Sequence, residues 1–198
     1  MYPAILPERK CGDEAFVSAD GKKIANLQNF WQWAYSDLIG NAERGALAEF
    51  IVASALGIHD SVRISWDKYD LLSKEGIAIE VKTSGYIQTW EQSSPSKLVF
   101  GIAPTFGWNS ITNEYDVNRT RQSDVYVFCV HKHLDQKTIN PLDTTQWDFY
   151  LLPTAVLNNI FGEQKTASLS SLKRAGALFC QYEELYKMIL KLKETGEI

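Results

Sequence analysis

The sequence predicts an α/β fold with a mixed central β-sheet flanked by helices, and three kinds of pattern support this. Apolar residues recur at three- and four-residue spacings over residues 27–39, and a second helix is predicted over residues 42–56. Short segments rich in β-branched and aromatic residues follow, such as DVYVFCV. Helical signals return after Pro153, and periodicity runs from about residue 178 to 193. Helices on either side of a run of strands are typical of layered α/β domains.

The two N-terminal helices are predicted to bury different amounts of their surface. In the first, the aromatic stripe between Phe30 and Tyr35 is expected to pack in the core. The second has Asn41 as its predicted N-cap and Gly57 just beyond its end, where these residue types are favoured. Apart from Glu49, its residues 46–56 are apolar or small, so both of its sides are expected to be covered.

Length and composition limit how many domains the chain can form and which class of protein it can belong to. A chain of 198 residues that is 45% hydrophobic and 12% aromatic can bury one substantial core, so we expect a single domain over residues 1–198. Its central part is expected at about 27–160 and C-terminal helices at about 168–194. Early prolines and charges argue against a signal peptide, and no apolar run reaches the length of a membrane span. We therefore expect a soluble, cytoplasmic protein with no membrane partner.

The net charge and the spacing of cysteines and histidines limit which kinds of binding site the chain can carry. The net charge of −4 argues against a generally basic, nucleic-acid-binding surface, so a polyanion partner would need a local basic patch or a metal. Carboxylates gathered around a divalent cation would themselves make the chain more acidic. The three cysteines form no C-x-x-C pair, and His131 and His133 lack a third ligand at metal spacing, which argues against zinc. These histidines are expected at a strand end that meets solvent.

The predicted strand IAIEVKT carries the first candidate site residues. Its alternation places Ile79 and Val81 on one face, and Glu80 and Lys82 together on the other. Taken alone, a Glu-x-Lys tripeptide is more simply explained as an ion pair on a solvated strand face, because it arises often by chance.

Two further carboxylates are expected near Glu80. Asp70 lies one strand earlier in a predicted hairpin, where a five-residue loop would set it opposite Glu80. The same register sets Leu72 opposite Ala78. Because an unpaired carboxylate in an apolar helix is costly, Glu49 is expected to have a partner. Converging carboxylates repel one another unless a hard divalent cation neutralises them.

The order of these residues resembles the catalytic signature of the PD-(D/E)XK superfamily of restriction-endonuclease-like nucleases, in a bacterial branch. The resemblance is specific over residues 43–92, and Tyr69 stands where the motif name has proline. The matching residues are Glu49 on a helix, Asp70 on a strand, and Glu80, Val81 and Lys82 on the next strand.

The resemblance implies a restriction-endonuclease-like fold and a metal-dependent nuclease that hydrolyses phosphodiester bonds, with DNA as the favoured nucleic-acid partner. In such nucleases the equivalents of Asp70 and Glu80, with the carbonyl of Val81, hold Mg²⁺ or Mn²⁺. Glu49 would join a second metal or order a metal-bound water. Lys82 would orient or help to deprotonate the attacking water and offset phosphate charge. The implied catalytic set is therefore Glu49, Asp70, Glu80 and Lys82.

Four other side chains are weaker candidates for substrate binding. Gln88 and Gln92 would share a helical face, and in related exonucleases a glutamine after the lysine contacts the substrate backbone. Arg119 and Arg121 lie in segment 103–122, which lacks periodicity and is predicted to be a long loop, and they could contact phosphates. A polar cap or loop explains the glutamines equally well, and a solvated surface is the simpler explanation for the arginines.

Two other functions remain open from the sequence. A binding or scaffold protein could keep this fold without turnover, which the acidic net charge favours and the intact carboxylate and lysine set disfavours. An enzyme for smaller nucleotide substrates would hydrolyse mononucleotides and show no salt-dependent DNA binding. The choice between DNA and RNA, the mode of cutting and the formation of a homodimer are also open.

Overall fold

The computed structural model describes residues 2, 5–64, 68–109, 114–195 and 198. Among them, no helix is both long and apolar enough to cross a membrane. The helices are α1 (Leu27–Tyr35), α2 (Asn41–Ala55), α3 (Thr154–Phe161), α4 (Leu169–Arg174) and α5 (Leu185–Glu194). The strands are β1 (Ala15–Val17), β2 (Lys23–Asn26), β3 (Leu71–Leu72), β4 (Ala78–Gly85), β5 (Val99–Gly101), β6 (Thr105–Asn109), β7 (Glu114–Thr120), β8 (Val125–His131), β9 (Trp147–Pro153), β10 (Thr166–Ser168) and β11 (Leu178–Cys180).

The central sheet has five strands in the order β11-β9-β8-β4-β3. β4 and β8 pair in parallel, and the other neighbours pair antiparallel. β8 is buried along its whole length, as its run of β-branched and aromatic residues predicts for a strand covered on both faces. The sheet is mixed and flanked by helices, so the predicted α/β fold class is confirmed.

Each face of the sheet buries its own core. Ile79 and Val81 of β4 pack with α2 and α5 on one face. Tyr126 and Phe128 of β8 pack with β5, α3 and α4 on the other face. Because β4 alternates, and Glu80 is in register with Tyr126, the side chains of Glu80 and Lys82 belong to this second face.

The aromatic stripe of α1 does not enter the core, so that prediction is wrong. None of the helix's residues is buried, and Trp33 is 85% exposed. The stripe packs locally instead: the ring of Phe30 lies 6.4 Å from that of Phe16 on β1 and 6.1 Å from that of Tyr35. Helical periodicity defines an apolar side but not its partner, which here is the small β1–β2 hairpin and not the central sheet.

Two other segments differ from their predicted structure. The predicted loop 103–122 contains the antiparallel hairpin of β6 and β7, in which Trp108 pairs with Tyr115 at a ring distance of 4.8 Å. The predicted helix from residue 178 begins only at Leu185, because residues 178–180 form β11 beside β9. In both cases aromatic and β-branched side chains pair across strands, which a search for helical or strict two-residue periodicity does not detect.

The prediction that His131 lies at a strand end that meets solvent is also wrong. It is fully buried, its ring lies 4.9 Å from that of Trp147, and its nitrogens have no hydrogen-bond partner among the described residues. Burial, with Arg44 and His133, lowers the pKa of His131 to about 4, while the nearby Gln146 acts more weakly in the opposite sense.

His131 should therefore make the protein lose stability in mild acid. The unfolded imidazole takes up a proton below about pH 6.5, whereas the folded one does so only near pH 4, so the free energy of unfolding falls as pH drops through this window. His131→Leu should reduce that loss by roughly 2 kcal/mol, as measured by urea unfolding between pH 7 and 4.5. Equal slopes for His131→Leu and wild type would contradict the prediction.

Candidate active site

The short strand β3 fixes the position of Asp70. Leu72 pairs with Ala78, and the backbone N–H of Asp70 donates to the carbonyl of Ile79 at 3.1 Å. The predicted pairing of Leu72 with Ala78 is confirmed, and Asp70 lies just before this short ladder. Asp70 and Glu80 line the same cleft, and the charge of Glu80 raises the pKa of Asp70, so the two carboxylates are close neighbours.

The backbone of Val81 completes this arrangement. Its N–H donates to Oδ2 of Asp70 at 2.7 Å, so a side chain takes the place of a strand partner. The carbonyl of a strand residue points to the same edge as its N–H. Because β3 spans only Leu71–Leu72, the Val81 carbonyl lies on the edge that β3 no longer covers, beside Asp70.

Lys82 forms an ion pair with Glu80 on the same strand face. Its Nζ donates to Oε1 of Glu80, and the two side chains are 32% and 18% exposed. Burial lowers the pKa of Lys82, but the negative charge of Glu80, its hydrogen bond, and the charges of Asp70 and Glu49 outweigh this and raise the pKa overall. The Lys82 ammonium is therefore held in its charged form at neutral pH.

The pKa of Asp70 moves in the direction expected for a crowded carboxylate. Burial and the charge of Glu80 raise the pKa of Asp70 to about 6, against the opposing effects of the Val81 N–H and Lys82. Ionisation of Asp70 therefore costs more free energy in the protein without a ligand than it does in water. A further positive charge at this position would relieve the repulsion between the two carboxylates.

Asp70, Glu80 and Lys82 line one cleft of about 370 Å³, which we call the carboxylate cleft. Gln122 and Tyr126 form part of its wall. Glu49 does not line this cleft: it lines a neighbouring cavity of about 380 Å³, and Tyr69 and Asp70 line both. The structure thus brings three of the four implied catalytic side chains into one cleft and places the fourth beyond Asp70.

Glu49 has a partner, as its burial requires, but that partner is Arg63. Nη2 of Arg63 donates to Oε1 of Glu49 at 2.7 Å, and Nε donates to Oε2, which makes a bidentate pair. The hydrogen bonds that Arg63 donates to Glu49 raise the pKa of Arg63 despite partial burial. Sequence reasoning missed Arg63, since the only signal was a basic residue in the short apolar segment SVRIS.

Asp70, Glu80 and the Val81 carbonyl offer hard oxygen ligands that fit Mg²⁺ or Mn²⁺. Over the part of the chain that the structure describes, no group of three or more His, Cys, Asp or Glu side chains is placed to hold a metal. A set of two carboxylates is nevertheless usual for Mg²⁺, which keeps several waters and takes further oxygens from substrate phosphates. Glu49, the fourth residue of the implied metal set, is paired with Arg63 in this structure.

The two candidate glutamines lie in the loop after β4, one of the alternatives that the sequence left open. The N–H of Gln88 donates to Oε1 of Gln92 at 2.7 Å, and Nε2 of Gln92 donates to the carbonyl of Tyr86 at 3.2 Å. Nε2 of Gln88 donates to the carbonyl of Gly85 at 3.0 Å. Both side chains therefore hold the loop in shape, which supports the structural explanation over substrate contact.

Arg121 is buried, so its charge is not accessible to a phosphate at the surface. Its Nε donates to the carbonyl of Ile102 at 2.8 Å, Nη1 to Oδ1 of Asn158 at 2.7 Å, and Nη2 to the carbonyl of Gly162 at 2.9 Å. It joins the segment before β6 to the end of α3. Arg119, by contrast, is exposed on β7 and keeps its charge accessible to a phosphate.

Arg121→Ala should therefore destabilise the fold and Arg119→Ala should not. Truncation of Arg121 leaves buried acceptors without a donor, which should lower the free energy of unfolding by about 3 kcal/mol. Arg119 only lies over the ring of Phe106, 4.8 Å from its centroid, so its truncation should change stability by about 0.5 kcal/mol or less. Denaturant melts of both variants test this; equal losses would contradict the assignment of Arg121 as a structural clamp.

A mixed sheet that carries facing carboxylates and a charged lysine in one cleft is the kind of site that nucleases use. Residues 23–171 match the family model of bacteriophage T4 endonuclease IV, a range that includes every candidate site residue discussed above. The chain belongs to the bacteriophage T4 endonuclease IV family. Membership supports a nuclease that acts on nucleic acid. Comparison with curated proteins gave no match.

Proposed function

We propose that this chain is a Mg²⁺- or Mn²⁺-dependent nuclease of the PD-(D/E)XK type that hydrolyses phosphodiester bonds in DNA. The observation that carries the proposal is that Asp70, Glu80 and Lys82 line one cleft, with Glu80 and Lys82 on the same face of β4. The family match supports the nuclease activity. The proposal of a metal rests on the two carboxylates and the Val81 carbonyl.

The carboxylates of Asp70 and Glu80 and the Val81 carbonyl would hold the cation at the rim of β4. A bound divalent cation supplies Lewis acidity and offsets the charge that develops on the scissile phosphate. Its binding would also remove the repulsion that raises the pKa of Asp70. The N–H of Val81 keeps Oδ2 of Asp70 oriented throughout.

Lys82 acts on the attacking water and on the phosphate. Because its pKa is raised, its ammonium group is a hydrogen-bond donor and a positive charge at neutral pH, and not a resting general base. This favours orientation of the water and stabilisation of transition-state charge over deprotonation by a neutral amine. The ion pair with Glu80 holds the ammonium in the cleft before substrate binds.

Glu49 has a positioning role in this proposal. Its carboxylate fixes the guanidinium of Arg63 in the neighbouring cavity, which Asp70 also lines. A direct role in a second metal site would require Glu49 to exchange Arg63 for that metal. We therefore assign the first metal to Asp70 and Glu80.

The test is incubation of the protein with plasmid DNA, DNA and RNA oligonucleotides, and mononucleotides, each with Mg²⁺, Mn²⁺ or EDTA. We expect cleavage of DNA with either cation and none with EDTA. Binding of DNA without cleavage under all conditions would instead identify a non-catalytic member of the family. Hydrolysis of mononucleotides without salt-dependent DNA binding would identify an enzyme for smaller substrates.

A further inference from the structure

The cavity beside the carboxylate cleft has no part in the proposed chemistry. We call it the side cavity; it measures about 380 Å³ and meets the carboxylate cleft at Tyr69 and Asp70. Most of its remaining wall is apolar. The apolar lining residues include Ala53, Ile58, Val62, Ile64, Leu71 and Leu72.

Two aromatic rings form one wall of the side cavity. Phe50 is 53% exposed, although its neighbours Ile51 and Val52 on α2 are buried. Its ring meets that of His59 edge-on, with centroids 5.9 Å apart and an interplanar angle of 76°. An aromatic ring that lines a cavity without being covered offers a face on which a flat ligand can stack.

Arg63 belongs to the polar part of the wall, which also includes Glu49, Ser61 and Asp70. Its bidentate pair with Glu49 fixes the plane of the guanidinium. A planar guanidinium stacks on the faces of aromatic rings. Apolar walls, an exposed aromatic ring and one fixed planar cation together favour a planar heteroaromatic ligand.

We propose that the side cavity binds one nucleobase of the strand whose phosphate lies at Asp70. The inference rests on the proposed function, because it takes the nucleic acid to be bound at the carboxylate cleft. The cavity volume lies near the lower end of the range for small-molecule sites, about 300 to 1,000 Å³, which suits one base and not a run of bases. A base held in such a cavity has left its stack, as in other enzymes that enclose a base.

Binding measurements in EDTA test the proposal without any cleavage. The probes are a fluorescent DNA oligonucleotide and an abasic sugar–phosphate oligomer of equal length and charge, both followed by fluorescence anisotropy. Wild type should bind the base-carrying probe about tenfold more tightly, the size expected for one stacked base. Phe50→Ala should lose this preference. Phe179→Ala is the matched control, since Phe179 is 51% exposed on β11 at the opposite edge of the sheet. This variant should keep the preference for the base-carrying probe.

His59→Ala provides a second variant and should weaken the preference if Phe50→Ala fails to fold. Equal binding of both probes by wild type, or a full preference in the folded Phe50→Ala or His59→Ala protein, would overturn the proposal. A loss of self-association in Phe50→Ala with unchanged probe preference would assign the cavity to a second copy of the chain and would also overturn it. Absence of metal-dependent cleavage, by contrast, would refute the proposed function while leaving the base preference measurable in EDTA.

Discussion

Lys82→Ala should abolish DNA cleavage while leaving the binding of DNA and metal largely intact. The Lys82 ammonium would act on the attacking water and the transition state, so its loss should lower kcat by at least about 100-fold, as for other groups that stabilise developing charge. Removal of the lysine also frees Glu80 from its ion pair, so cation affinity should not fall. Single-turnover cleavage measures the first effect, and anisotropy and metal titration measure the others.

Lys132→Ala is a close control for this experiment. Lys132 forms an ion pair with Asp148 at 2.7 Å, and the two side chains are 38% and 19% exposed, nearly the values of the Lys82 pair. This variant should cut DNA at the wild-type rate. Wild-type cleavage by Lys82→Ala would instead make Lys82 an ordinary strand-face lysine.

Asp70→Asn should abolish both cleavage and the effect of metal on stability. If Asp70 and Glu80 hold the cation, millimolar Mg²⁺ or Mn²⁺ should raise the Tm of wild type, because the ion binds the folded site and not the unfolded chain. The amide oxygen of the variant can still accept from the Val81 N–H, but it lacks the charge that a hard cation requires. Thermal melts with and without cation measure the difference.

Without metal, Asp70→Asn should be at least as stable as wild type at neutral pH. Asp70 has a folded pKa of about 6 against 3.8 unfolded, so wild type loses stability as pH rises through that window and the variant does not. The gain should be about 3 kcal/mol, since the two pKa values differ by about 2 and a difference of 1 corresponds to about 1.4 kcal/mol. Asp148→Asn, which breaks the pair with Lys132, should lose stability and serves as the control. A wild-type melt indifferent to both cations, with a destabilised Asp70→Asn, would favour a structural role for Asp70.

The carboxylate cleft could be predicted because its parts are local in sequence. Two-residue alternation placed Glu80 and Lys82 on one face, and the predicted hairpin register, with Leu72 opposite Ala78, brought Asp70 to the same cleft. The second helix was also predicted, although its N-cap is Gly40 and not Asn41, and Gly57 follows its end with a positive φ of 63°. Each of these features depends on residues within one hairpin or one helix.

Features that depend on distant partners could not be predicted. The cost of burying Glu49 required a partner, but nothing in the sequence distinguished a metal from Arg63, which lies 14 residues away in a segment without clear periodicity. The accessible aromatic wall at Phe50 escaped prediction for a similar reason. Composition indicates that α2 is apolar on both sides. Whether Phe50 is exposed depends on the position of the segment after α2, whose residues line the same cavity.

The parallel pairing of β4 with β8 governs how this protein must fold. Ala78 and Asp124 are 46 positions apart in the chain and are joined by 2.8 Å hydrogen bonds, so this pairing carries a large loop-closure entropy and should be slow to form. The hairpin that sets Asp70 against Glu80 closes through a short loop and can form in microseconds. Tyr126, which walls the carboxylate cleft, arrives only with β8. The two carboxylates therefore come together in a local, fast step. Their cleft is enclosed in a separate step, which is slow because it depends on a long-range strand pairing.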